Sequence, residues 1–131
     1  MHTKQIEDLF DITQNFQYVM SLERLYFDTA QNLSSDYTGG QWDSKKLAQS
    51  WFFLLNTNKH FDVDEIKVNP KVFSYVVNYI VLVNMINSLH EKGLQDDPLY
   101  IELHHIWVNL INSTEEVLNE EERFQYYKLI D

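Results

Sequence analysis

The stretch from Asn69-Pro70 to Gly93 limits the possible folds more than any other part of the chain. Asparagine followed by proline makes a helix cap with proline at the first helical position, and glycine is a helix-terminating residue. Between them Val72, Phe73, Val76, Val77, Ile80, Val83 and Ile86 cover most of a helix circumference. A helix with no watery side must be the buried centre of a domain, with the other elements layered around it. Its most apolar run, Val72–Met85, is broken by Ser74, Asn78 and Asn84, which argues against a membrane span. Ser74, Asn78 and Ser88 fall along one side, where core-facing polar groups are expected to bond neighbouring backbone.

The 131 residues suit one domain around that helix, and 44% hydrophobic with 15% aromatic content argues against disorder. With no cysteine, disulfides, thiolate metal sites and cysteine nucleophiles are excluded. The opening MHTKQIEDLF carries acids before any long apolar run, so no secretory leader is expected and the expected compartment is the cytoplasm.

Upstream of the central helix, Asp11 and Gln14 have capping-box spacing. Phe16, Val19, Met20, Tyr26, Phe27, Ala30 and Leu33 then recur with helical period, predicting helix over Ile12–Leu33 as one piece or two. Tyr37-Thr38-Gly39-Gly40-Gln41-Trp42 reads as a positive-φ glycine turn feeding a short strand at Gln41–Ser44. Two further strands follow, at Ser50–Leu55 and at His60–Glu65, where Phe61 and Val63 point one way. Three strands in succession predict an antiparallel meander.

Downstream, Asp97-Pro98 opens another helix with an inner stripe of Leu99, Leu103, Ile106, Trp107, Leu110 and Ile111. Glu102, His105, Asn109 and Asn112 take its outer face, and His104 is expected at the core edge against Tyr100 or Val108. Ser113 with Glu116, and Asn119 with Glu122, each have capping-box spacing. A short last helix carries Phe124, Tyr127 and Ile130. The expected fold is a single α+β domain over residues 1–131: a small antiparallel three- or four-stranded sheet packed with four or five helices.

The charge is net −10 and uneven. Residues 1–43 hold seven acids and two bases (net −5), residues 44–90 three and five (net +2), and residues 91–131 ten and three (net −7). Such a surface repels phosphates, so direct nucleic acid binding is not expected. The acid excess has two readings: solubility, or a phosphate-like pattern offered to a basic DNA-handling protein.

Motifs for chemistry are missing. Glu102-x-x-His105 is half of a di-iron signature, and no second Glu-x-x-His completes it. His90-Glu91 lacks the later histidine of a zincin, and no glycine-rich phosphate loop or Gly-x-Ser-x-Gly elbow occurs. The one acid–base pair open to an unrecognised enzyme is Glu102 with His105. No catalysis, cofactor or metal is expected.

Leu25-Tyr26-Phe27-Asp28 through Leu33, then Tyr37-Thr38-Gly39-Gly40-Gln41-Trp42 and on to Phe52-Phe53, resemble the ArdB/KlcA antirestriction family of plasmids and other mobile elements. The resemblance spans roughly residues 16–131 and includes the long helix after Pro70 and the terminal Ile130-Asp131. This chain has Gln41-Trp42-Asp43-Ser44 where family members commonly carry Tyr-Trp-Glu-Phe. The resemblance implies a protein that relieves type I restriction, with a restriction-modification complex as partner and no cofactor. Candidate partner-binding residues are Tyr37, Gly39, Gly40 and Trp42, the glutamates 115, 116, 120, 121 and 122 (Glu115, Glu116, Glu120, Glu121, Glu122), and Asp131. For Tyr37–Trp42 the alternative is purely structural: the glycines turn the chain while the two rings pack beside it. The competing function is a structural or adaptor subunit working through exposed aromatics, with no effect on restriction.

Overall fold

The computed structural model describes residues 16–47 and 50–131. The elements run α1 (Phe16–Leu33), β1 (Gln41–Leu47), β2 (Ser50–Asn56), β3 (Phe61–Val63), β4 (Ile66–Val68), α2 (Pro70–Glu91), α3 (Pro98–Val117) and α4 (Glu120–Ile130). This is the expected α+β domain. The expected Asp11–Gln14 cap lies outside the described residues, as do the side chains of Phe16, Val19, Met20, Trp51 and Phe52.

Helix α2 is the centre. Asn69 caps it by accepting from Val72 N at 2.8 Å, Pro70 starts it, and Gly93 (φ 72°) lies just past its end. Val72, Phe73, Tyr75, Val76, Val77, Val81, Leu82, Met85 and Leu89 are all buried. One expectation is corrected here. By length and apolar composition α2 could cross a membrane, but two thirds of its most apolar window lie inside the fold. Its apolar surface is what α1, α3, α4 and the β2 strand pack against.

The strands do not form one meander. β1 and β2 make one antiparallel hairpin, with Trp42 opposite Leu55 and Asp43 opposite Leu54, and β3 and β4 make a separate one. β2 and β3 do not pair because the next layer over β2 is helix. Asn78 Nδ2 donates to Phe53 O at 2.7 Å, Asn78 Oδ1 accepts from Phe53 N at 3.3 Å, and Leu55 N donates to Ser74 Oγ at 2.9 Å. Side chains of α2 thus occupy the place a third strand would take. This confirms the backbone-bonding role expected of Ser74 and Asn78.

The second hairpin is tighter than expected. Its strands flank a two-residue turn in which Asp64 (φ 48°) and Glu65 (φ 68°) both adopt left-handed backbone. Phe61 and Val63 point into the core as expected, and Phe61 stacks on Phe73 with centroids 4.2 Å apart.

Helix α3 starts at Asp97, which accepts from Leu99 N at 2.8 Å. Leu99, Leu103, Ile106 and Leu110 are buried as the stripe requires, whereas Trp107 is half-buried and Ile111 is exposed. His104 packs on Tyr100, ring centroids 4.6 Å apart. Ser113 is no cap: it sits buried inside α3, donating to Leu110 O at 2.9 Å and meeting the Tyr75 hydroxyl at 3.2 Å. The cap belongs to Asn119, and the reciprocal Asn119–Glu122 box that opens α4 is complete.

Candidate functional site

The residues singled out in the sequence fall into two places with opposite exposure. The first is the segment leading into β1. Gly39 (φ 111°) and Gly40 (φ 148°) take positive-φ backbone, as expected, and a side chain on Gly40 would meet Leu55 Cδ1 at 3.0 Å. The tight passage delivers Tyr37 and Trp42 to the core, each only 4% exposed. Trp42 Nε1 donates to the Tyr37 hydroxyl at 3.0 Å, which satisfies the indole N–H where water is excluded. Around them Tyr26 meets Trp42 and Phe53 edge-on, with centroids 5.4 and 5.1 Å away.

The Tyr26 hydroxyl donates to Asn78 Oδ1 at 2.5 Å, and burial pushes its pKa up. Neither Tyr37 nor Trp42 presents a surface to a partner. Of the four residues singled out in this segment, the two rings are packed inside, whereas Gly39 is half-buried and Gly40 exposed.

The second place is the corner where α3 ends and α4 begins. Glu115, Glu116, Glu120 and Glu121 are exposed there, beside Phe124, which is 67% exposed. Glu115 is partly held: Arg123 Nε lies 3.7 Å from its carboxylate, and the Tyr127 hydroxyl donates to it at 3.4 Å. Glu120 and Glu121 sit in the first turn of α4, where carboxylates are favoured by the helix dipole. Asp131 is exposed at the far end of the same helix.

Glu122 is the exception, and its place corrects the expectation of an outward acid. It is 7% exposed and belongs to an internal junction of three helices. Its carboxylate accepts from Asn69 Nδ2 at 2.7 Å and from Asn119 N at 2.9 Å, and pairs with Lys71 Nζ at 3.1 Å. Lys71 also donates to Val117 O at 3.3 Å, tying the end of α3 to the start of α2. Burial pushes the Glu122 pKa up, but the hydrogen bonds from Asn119 and Asn69 and the Lys71 ammonium outweigh it, and the net shift is downward. The capping-box spacing Asn119–Glu122 was the sequence signal that this carboxylate turns back on its own helix.

Elsewhere little converges. Glu102 is half-buried and His105 exposed on α3, and among the described residues no three His, Cys, Asp or Glu side chains gather to hold a metal ion. An open groove of about 540 Å³ beside the start of α2 is lined by Asp43, His60, Lys71 and Ser74 among others. Its Lys71 and Ser74 are engaged in the internal bonds already described. Compared with protein-family models, curated proteins and solved structures, the chain matches none.

Proposed function

We propose that this chain is a small acidic inhibitory binding protein that relieves type I restriction of incoming DNA in the cytoplasm, by contact with a protein partner and without catalysis. The observation that carries this reading is the α3–α4 corner. Four exposed glutamates stand around a turn that Glu122, Asn69 and Lys71 fix from within. A preorganised acidic surface of this kind suits a basic patch that normally meets DNA phosphates, and it steers association at long range. Binding of that type weakens as salt rises. The same negative charge disfavours direct contact with nucleic acid.

The target class comes from the Tyr37-x-Gly39-Gly40-x-Trp42 resemblance, whose two rings are buried and whose glycines carry the turn between them. The test is phage plating, with and without this protein, in hosts that carry or lack a type I restriction system. Plating restored only in the restricting host is the expected result, and plating unchanged by the protein contradicts the reading. A second reading, an adaptor that leaves restriction alone, draws on the exposed apolar side chains Ile101 and Val108 of α3 and Phe124 of α4.

A further inference from the structure

The β1–β2 sheet has two edges in different condition. Along β2, the backbone groups of Phe53 and Leu55 that point away from β1 are already taken by Asn78 and Ser74 of α2. Those bonds also fix the phase of the ladder. In an antiparallel pair, residues whose groups point away from the neighbouring strand face each other at the non-hydrogen-bonded positions. Phe53 faces Ser44 and Leu55 faces Trp42, so Ser44 and Trp42 turn their N–H and C=O groups out at the opposite edge. Alternation adds Lys46. Among the described residues β1 has no second neighbour. An edge with unpaired backbone is a template for another strand.

We propose that a second copy of this chain pairs there, β1 against β1 and antiparallel, about a twofold axis through Ser44. The dimer then carries one continuous four-stranded sheet in the order β2-β1-β1-β2. The choice of occupant and register rests on the strand Gln41-Trp42-Asp43-Ser44-Lys45-Lys46-Leu47 itself. Centred on Ser44, the pairing sets Ser44 against Ser44 and Trp42 against Lys46 of the second copy, in both directions, so that all three outward residues are used. The same register sets Asp43 opposite Lys45 of the second copy, twice. Shifting it by two residues either way sets Asp43 against Asp43 or Lys45 against Lys45, and opposed like charges are destabilising. The strand is therefore self-complementary in one register and repulsive in its neighbours.

This interface shares no residue with the acidic corner, so it stands or falls separately from the restriction reading. The test is sedimentation velocity of the full chain from about 1 μM to about 1 mM. The expected mass rises from one chain to two. Ser44→Pro deletes an N–H that points away from β2 and that no described residue bonds, and proline is tolerated at a sheet edge. It is expected to abolish the dimer while circular dichroism stays that of the parent.

D43K and K45D each turn two opposite-charge pairs into two like-charge pairs and are expected to weaken association on the order of tenfold. The double variant D43K/K45D restores the complementarity and is expected to bind within about threefold of the parent. A monomer at every concentration, a dimer that survives Ser44→Pro, or a double variant no tighter than the single ones would overturn the proposal. If Ser44→Pro does not fold, the charge exchange decides alone.

Discussion

The segment Tyr37–Trp42 and the α3–α4 corner treat their conspicuous side chains in opposite ways. In the first, two large rings go inward and the indole N–H finds its acceptor there, Trp42 Nε1 donating to the Tyr37 hydroxyl. In the second, four carboxylates stay in water and only Glu122 goes inside. The difference is one of partner supply. A buried polar atom is tolerated when its bond is made within the fold. Residues 91–131 hold ten acids and three bases, so most of these carboxylates have no cation to accompany them inward. Glu122 does, because Lys71 and Asn69 reach it from the start of α2. The inward region should therefore respond to substitution through stability, and the outward region through binding.

Asn78 gives the largest expected effect. Its amide makes four bonds, to Phe53 N, Phe53 O, Ser74 O and the Tyr26 hydroxyl, which is its full capacity. Asn78→Ala strands several of these groups in the core and should cost about 3 kcal/mol in urea unfolding. A loss under 1 kcal/mol, by the same measure, would mean that water replaces the amide.

Glu122→Ala comes next, at about 2 kcal/mol, since Lys71 keeps some solvent exposure and is less stranded than a fully buried cation. The pH dependence has a definite sign. The folded-state pKa of Glu122 lies below its ordinary value of 4.5, so its contribution is present above that value and is lost as pH falls through the folded-state pKa. The stability gap between parent and variant should thus narrow from pH 7 toward about pH 3. A gap that widens on acidification would refute this account of the junction.

Tyr37→Phe removes the acceptor of the Trp42 indole N–H and should cost about 1.5 kcal/mol by thermal or urea denaturation. Tyr126→Phe should act with the opposite sign. The Tyr126 hydroxyl is buried, has no hydrogen-bond partner among the described residues, and has its pKa pushed up by burial and by the neighbouring tyrosines. Deleting it is expected to be neutral or to stabilise by up to about 1 kcal/mol.

The helices were legible because their punctuation is local. Asn69-Pro70, Asp97-Pro98 and the Asn119–Glu122 box each mark an end where the cap forms. The first three strands were legible one at a time but not as a sheet. That Ser74 and Asn78 close the edge of β2 is a tertiary fact, and it is why two hairpins replace one meander. The strand β4 was hidden because its turn, Asp64-Glu65, lacks the asparagine or glycine that usually announces paired left-handed residues. Ser113 misled because capping-box spacing does not distinguish a helix start from a helix interior. At the candidate site the acid run was plain in the letters. Which of the acids is internal depends on Lys71 and Asn69, some fifty residues earlier in the chain.

The variant Glu115→Gln, Glu116→Gln, Glu120→Gln, Glu121→Gln brings the comparison to its sharpest point. Loss of the helix-dipole and Arg123 interactions should cost no more than about 1 kcal/mol in stability. The most direct measurement is the plating of unmodified phage on a type I restricting host that expresses either the parent or this variant. The parent should raise plating toward the non-restricting level, and the folded variant should lose at least about tenfold of that gain. A folded variant that protects phage as well as the parent does would contradict the claim that the chain works through its acidic corner.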